Sequence, residues 1–348
     1  MKIRRVHLHN KDNWNQFVKQ HYPPVGAFMQ TWEWGAFQEN LGRKIERYFL
    51  TDARNPVAAF TLVRHPLPLN FSYGYMPRGP VIAAHAAGEN GSLNVFRFVH
   101  AWIKKQNFPD MVFVRMEPPL ASVAPDLSRH GFKIPPYYIQ PRFNHTIPLD
   151  GSEEEIMKSF HPSTRSNIRR AERRGVTAEL KRNATETDWD TFFSMARATI
   201  RRNSGKNVYP QRPYFNALIK AVPSVVDGYD PARLSLGTFC AYEHARPAAT
   251  NFVLFFGNTA TYLYGAAHSN ALRSKAATYL HWVAMCEAKK RGLKYYDLGG
   301  IDEVRWPTLT NFKRQFRGQE FSYIGNIDIP IRPMLYRAYN LMRRMKST

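Results

Sequence analysis

Cysteine is scarce: Cys240 and Cys286 are the two in 348 residues, and neither lies in a CxxC pair or a metal-ligand spacing. That argues against a disulfide framework or a zinc cluster and fits a reducing compartment. Acidic residues are few as well, 27 Asp and Glu against 49 Lys and Arg, for a net charge of +22. The excess is spread along the chain, which points to polyanionic partners such as RNA, nucleotide phosphates or an anionic membrane surface, and says nothing of fold. No apolar run approaches a membrane span, and the charged start "MKIRRVHLHNKDNW" has no apolar core. Neither a transmembrane segment nor a secretory leader is expected, and any membrane contact would be peripheral.

Several catalytic signatures are missing too. There is no G-x-x-x-x-G-K-[ST] and no strand-borne G-x-G-x-x-G, so ATP hydrolysis and dinucleotide redox chemistry lack their backbone cradle. Neither G-x-S-x-G nor H-E-x-x-H occurs among the 12 histidines, which counts against serine hydrolases and zinc proteases. The turn "HSNALRSKA" after Gly265 contains no glycine where an acetyl-CoA enzyme would wrap pyrophosphate in backbone N–H groups, so coenzyme A is disfavoured.

What is present reads as α/β. Lys44–Asp52 and Pro56–Leu67 have strand character, Ser92–Asn107 reads as a helix, and Met111–Pro119 begins as a buried strand. A polar, proline-rich passage, Phe132–Asp150, follows. Ser152 and Glu155 then stand in capping-box register, and Glu153–Glu155 suits the positive end of a helix dipole. The second half repeats the pattern, with strands at Leu234–Glu243, Pro247–Asn258 and Thr259–Ala267, a helix closed by Gly292, and the strand Lys294–Gly300. A length of 348 residues suits two domains of about 150 residues each, with the boundary near Asp150 and a hint of duplication.

Four passages carry a resemblance: "FMQTWEWGAFQENLG" (Phe28–Gly42), "YGYMPRGPV" (Tyr73–Val81), "FHPSTRSNIRRAERRGV" (Phe160–Val176) and "YYDLGGI…NFKRQFRGQ" (Tyr295–Gln319). Together they are similar to the FemABX family of non-ribosomal peptidyltransferases. Members of that family move an amino acid from aminoacyl-tRNA onto the stem peptide of a peptidoglycan precursor. The resemblance implies two N-acetyltransferase-like domains with mixed sheets and no coiled-coil arm: residues 1–150, completed by 324–348, and residues 151–323. It implies aminoacyl-tRNA and a precursor, UDP-MurNAc-pentapeptide or its lipid-linked form, as partners. It also implies no cofactor, no metal and a cytoplasmic monomer with peripheral contact at the inner membrane face. An aminoacyl ester is already activated, so its aminolysis requires placement of two large substrates and stabilisation of charge on the ester carbonyl.

The same resemblance nominates residues. Lys313 occupies the family's "FK..F" lysine, placed at the reaction centre, where a cation would stabilise developing charge. Phe312 and Phe316 flank it and would either stack on the tRNA's terminal adenine or fix the lysine from the core. Asp297, before Gly299 and Gly300, would orient the acceptor amine or Lys313, or else merely cap a strand end. Thr199, Arg201, Tyr209 and Tyr264 resemble contacts to the nucleotide-sugar diphosphate of the precursor. Gln38 stands where some members carry a phosphate-binding lysine, a charge that Arg78 or Lys44 would have to supply. The passage Lys158–Arg174 holds six basic residues against Glu172 alone, so Arg165, Arg169 and Arg173 are candidates for tRNA phosphates, against a plain solvated helix. In the C-terminal "RPMLYRAYNLMRRMKST", Leu335, Tyr339 and Met342 form a stripe expected to pack on the first domain more readily than on a membrane. Two other readings stand beside transfer to a stem peptide. One is the same scaffold turned to another amine acceptor or an acyl-CoA donor. The other is a non-catalytic basic module for RNA or anionic lipid. Lys313, Asp297 and Arg201 together favour catalysis.

Overall fold

The computed structural model describes every residue except 54, 123–126, 136, 203–208, 270 and 346–348, with backbone alone at 89 and 202. Parts of four passages singled out above lie outside the described residues: position 136 in the proline-rich passage, position 270 in the glycine-free turn, the stretch between Arg202 and Tyr209, and the tail after Met345. Two compact units divide the chain, Met1–Arg142 with Ser322–Thr348, and Phe143–Phe321.

In chain order the first unit begins with β1 (Lys2–Arg5), α1 (Lys11–His21), α2 (Trp32–Asn40), β2 (Ile45–Asp52), β3 (Asn55–Pro66), β4 (Ser72–Met76), β5 (Val81–Ile82), α3 (Glu89–Lys105) and β6 (Met111–Met116). The second contains β7 (Phe143–Pro148), α4 (Glu153–Ser159), α5 (Pro162–Arg173), β8 (Val176–Lys181), α6 (Glu186–Arg202), α7 (Arg212–Ala221), β9 (Ser235–Glu243), β10 (Arg246–Phe256), β11 (Thr259–Ala267), α8 (Ala271–Ser274), α9 (Ala276–Lys290), β12 (Tyr295–Ile301), α10 (Pro307–Arg314) and β13 (Gln319–Ser322). The chain then returns to the first unit as β14 (Ile327–Pro330) and α11 (Pro333–Met345).

Each unit holds a mixed sheet, in the order β1-β2-β3-β4-β6-β14 with β5 beside β3, and β13-β7-β12-β11-β10-β9-β8. Both contain a run of four antiparallel strands, a helical crossover to a parallel fifth strand, and an antiparallel sixth. The sixth strand is β14 in one unit and β7 in the other, so the repeated pattern is the same in space and displaced in sequence. Central β6 reads "MVFVRM" and is buried at all six positions, as a strand covered on both faces must be. Across the second sheet lies α9, where Leu280, Ala284, Met285 and Ala288 pack with Val253, Phe255 and Tyr296. Gly292, at φ +78°, takes the left-handed turn that ends this helix.

Two sequence expectations need correction. The boundary expected near Asp150 falls instead between Arg142 and Phe143. The reason is β7: its backbone groups are satisfied by antiparallel pairing with β12, from Phe143–Ile301 to Pro148–Tyr295, which commits it to the second unit. The passage Phe132–Asp150, read as polar and proline-rich with no strand in it, thus contains a strand with Asn144, His145 and Thr146 buried. In the first unit the returning segment is clipped by Arg115 and Asp328, both fully buried, with Nε–Oδ1 and Nη2–Oδ2 at 2.7 and 2.6 Å. The Tyr336 hydroxyl donates to the same carboxylate at 2.9 Å.

Candidate active site

Strands β11 and β12 start side by side and then part. Their pairing runs only from Thr259–Tyr295 to Thr261–Asp297, although β11 continues to Ala267 and β12 to Ile301. In the first unit the matching parallel pair, β4 and β6, stays joined from Ser72–Met111 to Met76–Met116. A parallel pair that separates turns backbone groups toward a gap, where a side chain or substrate can meet them.

Lys313 comes to this gap from α10, which Pro307 opens at its first position. Only 5% exposed, the lysine donates from Nζ to the Gly300 carbonyl at 2.6 Å. Gly299 sits at φ +79°, where side chains are strained, and a Cβ there would stand 3.7 Å from Lys313 Nζ and 3.6 Å from the Tyr262 carbonyl oxygen. Lysine amine, β12 turn and β11 backbone therefore share one small space. Asp297 sets the turn: it is 1% exposed, and its Oδ1 accepts the Gly299 N–H at 2.7 Å. Asn144 Nδ2 makes longer contacts to the same carboxylate, at 3.4 and 3.5 Å.

Burial pushes the Lys313 ammonium down to about 8, partly opposed by the negative charge of Asp297. Beneath it His281 is pushed down to about 3 by burial and then by Lys313, so this imidazole is neutral. Its Nδ1 lies 3.0 Å from the Tyr296 hydroxyl, and Tyr262, Phe312 and Phe316 surround the ring. An ammonium has three donors, and among the described residues Gly300 is the one acceptor that meets Lys313. Asn144 and His281 were not singled out in the sequence. A run of polar residues inside a strand, "NHT", was the available signal for the first; a lone histidine on an apolar helix is too common to mark the second.

Phe316 is fully buried against Phe160, His281 and Phe312, which makes it a core residue and not a stacking platform. Phe312 is half-buried in the same cluster. Thr199, Tyr209 and Tyr264 gather at the far end of β11. Thr199 Oγ1 donates to the Met195 carbonyl at 3.0 Å and lies 3.5 Å from that of Ala267; the Tyr209 hydroxyl donates to Gly265 at 2.8 Å; and the Tyr264 hydroxyl meets that of Tyr214 at 3.2 Å. Beside them α6 and α7 border a cleft of about 480 Å³ lined by Phe193, Arg197, Ile200, Tyr209 and Arg212 among others. Arg201 is exposed and not part of that lining; Arg197, one turn earlier on α6, is.

Three other nominated residues prove to be engaged within the fold. Gln38 is buried and accepts from Arg43. Arg78, 3% exposed, donates from Nη2 to the Pro141 carbonyl at 2.7 Å and lies 4.5 Å from the Tyr323 ring, so it cannot stand in as a surface phosphate ligand. Lys44 is exposed. Arg165 turns back to the end of α4, donating to Lys158 and Phe160 carbonyls at 3.1 and 2.6 Å. Carbonyls at a helix end need donors, and this arginine supplies them. The outward basic face of α5 therefore consists of Arg169, Arg170 and Arg173, with Arg174 capping its end, all exposed. Among the described residues no group of three or more His, Cys, Asp or Glu is placed to hold a metal, and no helix is long and apolar enough to cross a membrane.

Comparison with known proteins places this geometry. The chain is 26% identical over 186 residues to the lipid II:glycine glycyltransferase of Staphylococcus aureus, a match covering 51% of this chain and 43% of that protein. It thus spans less than half the length of the curated relatives it matches. Among solved structures, FemX superposes with a TM-score of 0.79 at 18% identity, covering 98% of this chain and 100% of that one. A tandem GNAT protein from the clavulanic acid biosynthesis pathway superposes at 0.52 and 9% identity, covering 95% of this chain and 98% of that one. Both likenesses establish a shared fold of two acetyltransferase-like units with mixed sheets. The model of the FemAB family matches residues 122–225 and 238–344, well over half of the sequence, and the chain belongs to that family.

Proposed function

We propose that the protein is an aminoacyltransferase of peptidoglycan bridge formation, carrying an amino acid from aminoacyl-tRNA to the side-chain amine of a precursor stem peptide. The observation that carries this reading is the buried Lys313 ammonium, bonded to the Gly300 carbonyl beside the opened edge of β11 and β12. Family membership and the staphylococcal relatives, named for transfer of glycine to lipid II, support the substrate class and make a lipid-linked acceptor the first to test.

In the proposed reaction the neutral amine attacks the ester carbonyl, a C–N bond forms, the bond to the ribose oxygen breaks, and the proton the amine gives up ends on that ribose oxygen as a hydroxyl. Negative charge develops first on the carbonyl oxygen and then on the departing ribose oxygen. The Lys313 ammonium stabilises it from a buried corner, where a fixed cation is worth more than in water. Asp297 holds the turn that positions Gly300 and keeps Lys313 charged near neutral pH. Exposed Arg169 and Arg173 contact tRNA phosphates, while Tyr209 and Arg197 at the α6–α7 cleft meet the precursor.

The test is incubation with labelled aminoacyl-tRNAs and stem peptides, offered as soluble nucleotide-linked and as lipid-linked precursors. Label moving to a peptide amine supports the reading. Tight tRNA or lipid binding without transfer to any acceptor would replace it with a basic binding module.

A further inference from the structure

Helix α11 turns one side to the first unit and leaves the other in water. Leu335, Tyr336 and Tyr339 pack with Val112, Phe113 and Tyr73. On the opposite side Met334, Leu341 and Met345 are 83%, 62% and 72% exposed, and Met342, expected to pack in one stripe with Leu335 and Tyr339, is instead 52% exposed because it lies beyond the edge of the cluster that holds those two. At roughly 100° per residue, Met334, Leu341 and Met345 lie within about 40° of one line along the helix, with exposed Ala338 beside it. A second element adds to this face. Leu69, at the tip of the β3–β4 connection, is 86% exposed. Leu67 and Phe71 on either side of it pack into the same cluster as α11, and the Arg332 guanidinium lies 5.6 Å over the Phe71 ring. The tip therefore stands by the start of α11, so apolar side chains from two elements share one exposed region. Isolated exposed methionines are ordinary; a stripe of them on one helix joined by a leucine from another element marks an interaction surface.

Charge identifies the partner. Arg337 and Arg344 are exposed and project about 60–80° to one side of the stripe. No acidic residue follows Asp328 in the sequence. A second copy meeting this face helix to helix would set the arginines of one α11 against those of the other, with no acidic residue on either helix, and RNA offers no use for long aliphatic side chains. A helix with an apolar line outward and arginines at its margin suits the interface plane of a bilayer carrying anionic headgroups. We propose that this face of the first unit docks on an anionic lipid surface, with Leu69, Met334, Leu341 and Met345 entering the acyl boundary and Arg337 and Arg344 meeting lipid phosphates. The inference concerns where the protein resides and stands whether or not the transfer reaction does.

Cosedimentation of the full chain with vesicles tests it, using phosphatidylglycerol mixed into phosphatidylcholine in one arm and phosphatidylcholine alone in the other. The wild type is expected to partition at least about tenfold more strongly to the anionic vesicles, less so at high salt. Two double variants, Leu341→Glu with Met345→Glu and Arg337→Glu with Arg344→Glu, should each lose about tenfold or more while the circular dichroism spectrum and Tm stay put, because all four side chains are exposed. Transfer to a soluble acceptor peptide should be unaltered in both. If the apolar variant binds vesicles as well as the wild type, the binding is general basicity and the docking face is wrong. A concentration-dependent dimer abolished by that variant would overturn the proposal in favour of a second copy, and loss of RNA binding in place of vesicle binding would overturn it in favour of RNA.

Discussion

Lys313 and Gly300 are joined by a hydrogen bond of 2.6 Å from ammonium to carbonyl, in a place where the lysine is 5% exposed. One bond and the nearby Asp297 do not fully replace the water the ammonium has lost, and its pKa falls to about 8. If the charged form does the work, single-turnover transfer from pre-charged tRNA should stop rising with pH at about 8. Deprotonation of the acceptor amine pushes the other way up to its own higher pKa, so the alkaline limb is expected to level off from about pH 8, where a rate set by the amine alone would keep climbing. A rate that keeps climbing to pH 10 would show that the ammonium is not the working form.

Replacing Lys313 with methionine keeps most of the length and packing and deletes the charge. Turnover should fall on the order of 10²–10³, the loss typical of one preorganised electrostatic donor. Stability should move in the opposite sense. The folded pKa of about 8 lies below the ordinary 10.5, so between those values the unfolded chain binds the extra proton. The lysine therefore destabilises the fold fully below pH 8 and progressively less as pH rises toward 10.5. Lys313→Met is expected to gain on the order of 1–3 kcal/mol at pH 7, with the gain fading near pH 10, in urea melts at both pH values. A methionine variant as fast as wild type would remove Lys313 from the mechanism.

Asp297 acts on that lysine through charge and on Gly299 through its hydrogen bond of 2.7 Å. Asp297→Asn can keep a carbonyl acceptor for the Gly299 N–H but removes the charge that holds the Lys313 pKa up. The alkaline limb of the transfer profile should then shift to lower pH, with tRNA affinity unaltered. An unshifted limb would limit Asp297 to shaping the turn.

Local signals were the legible ones. Ser152 and Glu155, three residues apart, form both bonds of the expected capping box, and Gly292 ends α9 as its position suggested. Strand and helix alternation showed the mixed α/β class in both halves because each element carries its own periodicity. What was hidden depends on partners far away in sequence. Arg165 and Arg78 read as phosphate ligands because nothing local reveals that Phe160 and Pro141 carbonyls need a donor. The strand β7 escaped notice because its polar residues are buried only once β12 pairs with it, and Arg115 finds Asp328 across 213 positions. Lys313 could be named from its motif, but its burial, which sets its proton affinity, is a property of the packed corner alone.

The outward face of α5 gives the last test. Arg169 and Arg173 lie one turn apart, both exposed, whereas Arg165 on the same helix is spent on carbonyls of the preceding one. Reversing Arg169 and Arg173 to glutamate should therefore leave the fold intact, since neither supports packing. If both neutralise tRNA phosphates, affinity should fall by at least about tenfold near physiological salt, and the slope of log affinity against log salt should flatten by about one to two, because fewer counterions are released. Affinity for the precursor should hold, as its proposed contacts lie at the α6–α7 cleft. Arg165→Ala would behave differently, lowering Tm through the lost helix-end bonds while leaving the salt slope alone. A salt slope for the double reversal equal to that of the wild type would make α5 an ordinary solvated surface and move the tRNA path elsewhere on the protein.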